Sequence, residues 1–139
     1  MSYKVYLMSV FRQLFVRRHK SLEFRAKVFA AMLLAKKEQS EDDYAVIGEL
    51  AREIYLNDKK RIEILEATVR EYVKKAKNYK NLNLDSLLKE IDNDLKTHKR
   101  YVKKIDFSHL RRLIGDDDSD AIIQQRVYEF FVSEVKEYS

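Results

Sequence analysis

Cysteine, proline and tryptophan are absent from these 139 residues, and glycine occurs only at Gly48 and Gly115. Without cysteine there is no disulfide, no thiolate metal ligand and no cysteine nucleophile. Nothing points to an oxidising compartment. Without proline, and with so little glycine, tight β-turns are starved of the residues that make them, which favours helices joined by short polar links. Long apolar runs are missing too, and none approaches the roughly 20 residues of a membrane span. Three histidines (His19, His98 and His109) sit in basic or polar surroundings and form no catalytic pattern. Serine lacks the glycine-flanked elbow of hydrolases, and no glycine-rich phosphate loop occurs. The sequence is therefore read as non-enzymatic, with no cofactor.

What is present is charge and apolar periodicity. The chain carries 28 Lys and Arg against 23 Asp and Glu, a net charge of +5. The charge is uneven: residues 70–112 hold 13 basic and 6 acidic groups, whereas residues 113–139 hold 2 and 7. Such asymmetry either marks a polar partner or lets two parts of the fold complement each other. The length fits one domain with a real core.

The periodicity predicts an all-α domain spanning 1–139, a compact bundle of six or seven short helices. A first helix over about 3–16 is apolar nearly all round, with Val5, Tyr6, Leu7, Val10, Phe11, Leu14 and Phe15. Such a helix is either wrapped by others or exposed for a partner, as a lipid-interface helix or as a contact with a second copy of the chain. It ends in basic residues and no small-residue cleavage site follows, so it reads as a poor signal peptide. A second helix runs through Leu22, Ala26, Phe29, Ala30 and Leu33, and its small residues suit a central position.

Ser40 opens a third helix. Its hydroxyl can accept from the Asp43 N–H while the Asp43 carboxylate reaches back to the Ser40 N–H, a capping box with Asp in the usual Glu place. Val46, Ile47, Leu50, Ala51 and Ile54 form its buried face. Asn57 or Asp58 caps a fourth, with Ile62, Leu65, Val69, Tyr72, Val73 and Ala76 inward. A fifth begins near Leu84 and buries Leu87, Leu88, Ile91 and Leu95. A sixth, capped by Thr97 or fused to the fifth, uses Tyr101, Val102, Ile105, Leu110 and Leu113, and Gly115 ends it. The last helix follows "DDDSD" and turns Ile122, Ile123, Val127, Phe130, Phe131 and Val135 inward.

Two patterns invite ligands. Asp116, Asp118 and Asp120 have the alternate spacing that starts an EF-hand loop, but its sixth position, where glycine is needed, is Ala121, and its twelfth, where glutamate is needed, is Val127. Helix capping explains these aspartates. A weak divalent-metal site built from Asp116, Asp117, Asp118 and Asp120 is the alternative. "KKAKNYK" and "THKRYVKK" interleave lysine with tyrosine, as phosphate contact with base stacking would need. Lys99, Arg100, Lys103 and Lys104 are the candidate anion-binding residues, for nucleic acid or another anionic surface.

The order of features carries a further signal. An alanine-bearing helix runs into "LLAKKEQSEDDYAVIGELA", then "IYLNDKKRIEILEATVREY" follows. Later "RYVKKIDFSHLRRLIGDDDSDAIIQQRVYEFFVSEV" repeats helix, aspartate-containing turn and helix. This resembles TerB-like domains, the tellurite-resistance helical fold, over about residues 20–137. The pattern is closest to the TerB-like domain of membrane-anchored DnaJ-like co-chaperones, where a lysine-rich connection precedes Thr/Ser-Glu-x-Asp. Lys36, Lys37, Ser40, Glu41 and Asp43 match those positions. There is no His-Pro-Asp tripeptide, so stimulation of an Hsp70 is not implied. Metal-binding members have Asp-Gly where this chain has Lys36-Lys37. The resemblance thus implies a turn that keeps its capping role and has lost a metal-binding one. It also implies a non-enzymatic scaffold in stress-response or membrane-associated assemblies, cytoplasmic or peripheral to the inner membrane. The partner surface expected for it is the N-terminal helix, through Tyr6, Phe11, Phe15, Arg17 and Arg18.

Overall fold

A computed structural model describes residues 20–139. The expected N-terminal helix, with Tyr6, Phe11, Phe15, Arg17 and Arg18, lies outside the described residues. Within them the chain is all-α, with six α-helices, two 3-10 segments and no strand. The helices are α1 (Lys20–Leu34), α2 (Glu41–Tyr55), α3 (Lys59–Asn78), α4 (Leu84–Thr97), α5 (Phe107–Arg111) and α6 (Asp118–Tyr138). Among the described residues no helix is long and apolar enough to cross a membrane.

The middle of the bundle is α1, which packs against α3, α4, α6 and the 3-10 segment Lys99–Lys104. Ten of its residues are buried, on every side of the helix. Ala26, Ala30 and Ala31 let neighbouring backbones come close, and Leu22, Phe24 and Met32 fill the space between them. Burying one such large apolar side chain contributes about 1.5–3 kcal/mol. Exposed ion pairs such as Arg70–Glu41 or Lys77–Glu38 add about 0–1 kcal/mol each. The apolar contacts therefore hold the fold, and the ion pairs help to fix which faces meet.

The caps form largely where the residues dictate. Ser40 and Asp43 close the capping box on α2. Asp58 caps α3, Asn83 caps α4 and Asp117 caps α6. The expected sixth helix is different. Thr97 does not cap it: its hydroxyl donates back to the Asn93 carbonyl in the last turn of α4. The segment divides into the 3-10 turn Lys99–Lys104 and the short α5, which Asp106 caps. Gly115 is not a left-handed helix cap, because α5 already ends at Arg111 and no described glycine has positive φ. Ile122 and Ile123 do not face inward: they are 56% and 37% exposed. The buried stripe of α6 is Gln124, Val127, Phe131, Glu134 and Tyr138. Its three-four spacing is ideal for a helix face, but two of its members are polar.

Candidate functional site

The turn after α1 and the turn before α6, which the sequence sets apart by some eighty residues, meet in space. Lys36 follows α1 and its ammonium donates to both Asp43 oxygens, at 2.8 and 2.9 Å. Asp43 also accepts from the Ser40 N–H at 2.9 Å, while its own N–H donates to the Ser40 hydroxyl. Across the junction, the Lys37 N–H donates to Asp120 at 3.1 Å. Asp117 accepts from the Asp120 N–H at 2.9 Å. The end of the Lys36 side chain runs beside Gly115, where a Cβ would lie 3.6 Å from its Cε and Nζ.

Gln124 completes this junction from the second turn of α6. Its amide N–H groups donate to the carbonyls of Met32 and Leu113, at 3.1 and 2.8 Å. Its carbonyl accepts from the Gly115 N–H at 2.9 Å. Gln124 is fully buried, and every polar atom of its side chain has a partner. Of the four aspartates nominated as a weak metal site, Asp117 and Asp120 are engaged with backbone N–H groups, and Asp116, Asp117 and Asp118 are exposed.

The nominated basic residues share one segment. Lys99, Arg100 and Lys103 are exposed and Lys104 is half-buried. None of the four has a carboxylate within ion-pair distance among the described residues. Tyr101 between them is buried, with its ring 5.0 Å from that of Phe24, so it cannot stack on a base. Tyr79, in the other lysine-tyrosine stretch, is 57% exposed.

Two further polar groups escape the sequence reading. Lys27, on the central helix, is buried and ion-paired to Asp94 at 2.8 Å and Glu90 at 2.9 Å. Burial disfavours its charge, but hydrogen bonds to both carboxylates outweigh this and hold its pKa above the ordinary lysine value. At the far end of α6, oxygens of Asp92, Glu134 and Glu137 converge within 4.8 Å of one another. Glu134 is buried, yet no donor among the described residues reaches its Oε1. Burial, with the Asp92 carboxyl beside it, pushes the Glu134 pKa up to about 7. The contact between these two carboxyls is a hydrogen bond only when Glu134 holds a proton. Asp92 is held low by the Tyr138 hydroxyl, which donates to it at 2.7 Å, and by Lys96 at 3.3 Å. A signal for this group existed in the sequence: Glu134 stands on the three-four stripe of α6, where an apolar residue belongs.

Among the proteins with which the chain was compared, no family model, no curated protein and no solved structure matches it.

Proposed function

We propose that this domain acts by binding another protein, as a non-enzymatic helical scaffold module of TerB-like design, in a stress-response or membrane-associated assembly of the cytoplasm. The paired polar turns support the TerB-like part of the reading. Two helix-turn-helix halves meet turn to turn, and Lys36 supplies the positive charge at their junction.

The observation that carries the binding part is Leu56. It is a leucine at φ 50°, 72% exposed, at the join between α2 and α3. A left-handed φ costs a non-glycine residue on the order of 1 kcal/mol. A leucine held there in water recovers nothing from burial. Both the strain and the exposure make sense if a partner covers the side chain. Ile122 and Ile123 are further exposed apolar groups on the described surface, and the sequence nominates Phe11 as a partner-binding residue.

The test is a pull-down from source cells with the wild-type chain and with Leu56→Asn and Phe11→Asp, each checked by circular dichroism. A defined protein partner captured by the wild type, resistant to nuclease and lost in a folded variant, supports the proposal. The same partners captured by both variants would overturn it.

Anionic-surface or nucleic-acid binding is the second reading, favoured by the four cations around Tyr101, which have no carboxylate partner among the described residues. Partners that vanish with nuclease would bring it forward. So would binding to single-stranded RNA that weakens steeply with salt, because neutralising several phosphates releases counterions.

A further inference from the structure

We propose that Asp92, Glu134 and Glu137 form a binding site for one hard divalent cation of about the size of calcium. The site joins α4 to the C-terminal turns of α6 and is separate from the acidic turn at Asp116–Asp120.

Two independent observations carry the proposal. The first is convergence. Glu134 and Glu137 are three residues apart on one helix, so both carboxylates leave the same face. Asp92 meets them from α4, and the three oxygens lie within 4.8 Å. Three carboxylates drawn together repel one another, and such an arrangement is poor unless something positive joins them. Lys96 does so only in part, since its ammonium reaches Asp92 alone, at 3.3 Å.

The second observation is the orphaned Glu134 Oε1. A buried polar atom without a partner costs about 1–3 kcal/mol, more for a charged group. Natural cores rarely keep one without a reason. The unpartnered oxygen belongs to the carboxyl that meets Asp92 and Glu137, and a cation there would give that carboxyl the positive partner it lacks.

The chemistry of the ligands selects the cation. All three donors are carboxylate oxygens, which suit hard ions over zinc or copper. Calcium is bound at about 2.3–2.6 Å, so ligands on opposite sides of it stand roughly 4.6–5.2 Å apart. The observed spread fits with no movement of the helices. Magnesium, bound at about 2.0–2.1 Å, would need the side chains to draw in. Water would complete the coordination, because Glu137 is exposed and the Asp92 side chain is 28% exposed. The Tyr138 hydroxyl orients Asp92 through its 2.7 Å hydrogen bond and is a positioning group rather than a ligand.

The experiment is a calorimetric titration of CaCl2, then of MgCl2, into chelator-stripped protein near neutral pH, with melting temperature followed in parallel. The expected result is one saturable calcium site with a midpoint of about 0.1–1 mM and a melting temperature that rises with calcium by mass action. Binding should weaken at least about tenfold in Glu134→Gln, Asp92→Asn and Glu137→Gln. Glu137 is exposed, so its variant tests the site without disturbing the core. Asp118→Asn should bind as the wild type does. No calcium binding by the wild type would overturn the site, as would undiminished binding by Glu134→Gln and Glu137→Gln. Binding lost only in Asp118→Asn would move the cation to the acidic turn and overturn it equally. Magnesium bound more tightly than calcium would overturn the assignment of size.

Discussion

The two ends of α6 treat a buried polar side chain in opposite ways. Near the start, Gln124 is fully enclosed and makes three hydrogen bonds, to Met32, Leu113 and Gly115. Near the finish, Glu134 is almost as deeply enclosed and leaves an oxygen without a donor. Both occupy the same apolar stripe. Gln124 is neutral and ties α1, the loop after α5 and α6 together. Glu134 is acidic and faces a second carboxyl, so it gains little for its burial until it takes up a proton or a cation. A satisfied buried polar group rigidifies a fold, whereas an unsatisfied one marks a place where stability has been given up.

The largest effect expected from breaking this contrast is at Gln124. Gln124→Leu removes the three hydrogen bonds and leaves the buried Met32 and Leu113 carbonyls and the half-buried Gly115 N–H without their partner. It should destabilise the domain by about 3–5 kcal/mol in urea unfolding. A loss below about 1 kcal/mol would mean that water replaces the amide and that the junction is not tight.

Lys36 tests the same junction from the other side. Its ammonium and the Asp43 carboxylate are both mostly buried. Lys36→Met leaves Asp43 with its Ser40 contacts but no counter-charge, at a cost of roughly 1–3 kcal/mol. Stability equal to wild type would show the pair to be dispensable. Ser40→Ala removes only the cap and should cost about 1 kcal/mol, readable as a lower melting temperature. A smaller effect, in the opposite direction, is expected at Leu56. Leu56→Gly relieves the left-handed φ and should raise stability by about 0.5 kcal/mol, while weakening partner capture. Unchanged capture would remove Leu56 from the binding surface.

Much of this architecture was legible from the residues. The Ser40–Asp43 box is a local pattern, and local hydrogen bonds survive whatever the tertiary context. The stripe Leu87, Ile91 and Leu95 is apolar and strictly periodic, so its burial follows. The small residues of α1 announce close packing on several sides. Other features could not be read. Nothing in "HKRYVKK" distinguishes 3-10 from α spacing, because the choice is made by Tyr101 packing on Phe24. Ile122 and Ile123 mislead because apolar residues usually face inward. Here Gln124 takes the buried position, for hydrogen bonds to α1 and the loop before α6 that no local pattern reveals. The same rotation of the helix puts Glu134 inside. Its meeting with Asp92 depends on how α4 and α6 pack, which lies beyond periodicity. Of the candidate sites, the acidic turn and the basic segment were visible as composition, whereas the Asp92–Glu134–Glu137 group showed in the sequence only as Glu134 at a stripe position, its convergence with Asp92 being set by the fold.

The most direct test of the contrast compares Gln124→Leu with Glu134→Gln by urea unfolding in chelator, at about pH 5 and pH 8. Asp92, Glu137, Lys96 and Tyr138 all face or influence Glu134. Its folded pKa, about 7, is raised above the ordinary value of 4.5. The favourable contribution of the protonated carboxyl is therefore complete below about pH 4.5 and is lost as pH rises through about 7. At pH 8 the wild type holds an unwanted buried charge that glutamine does not. The account predicts that Glu134→Gln is close to wild type at pH 5 and more stable by roughly 1–3 kcal/mol at pH 8, while Gln124→Leu is destabilised at both. If Glu134→Gln instead loses stability at pH 8, as Gln124→Leu does, Glu134 is a satisfied structural residue and the contrast between the two ends of α6 is wrong.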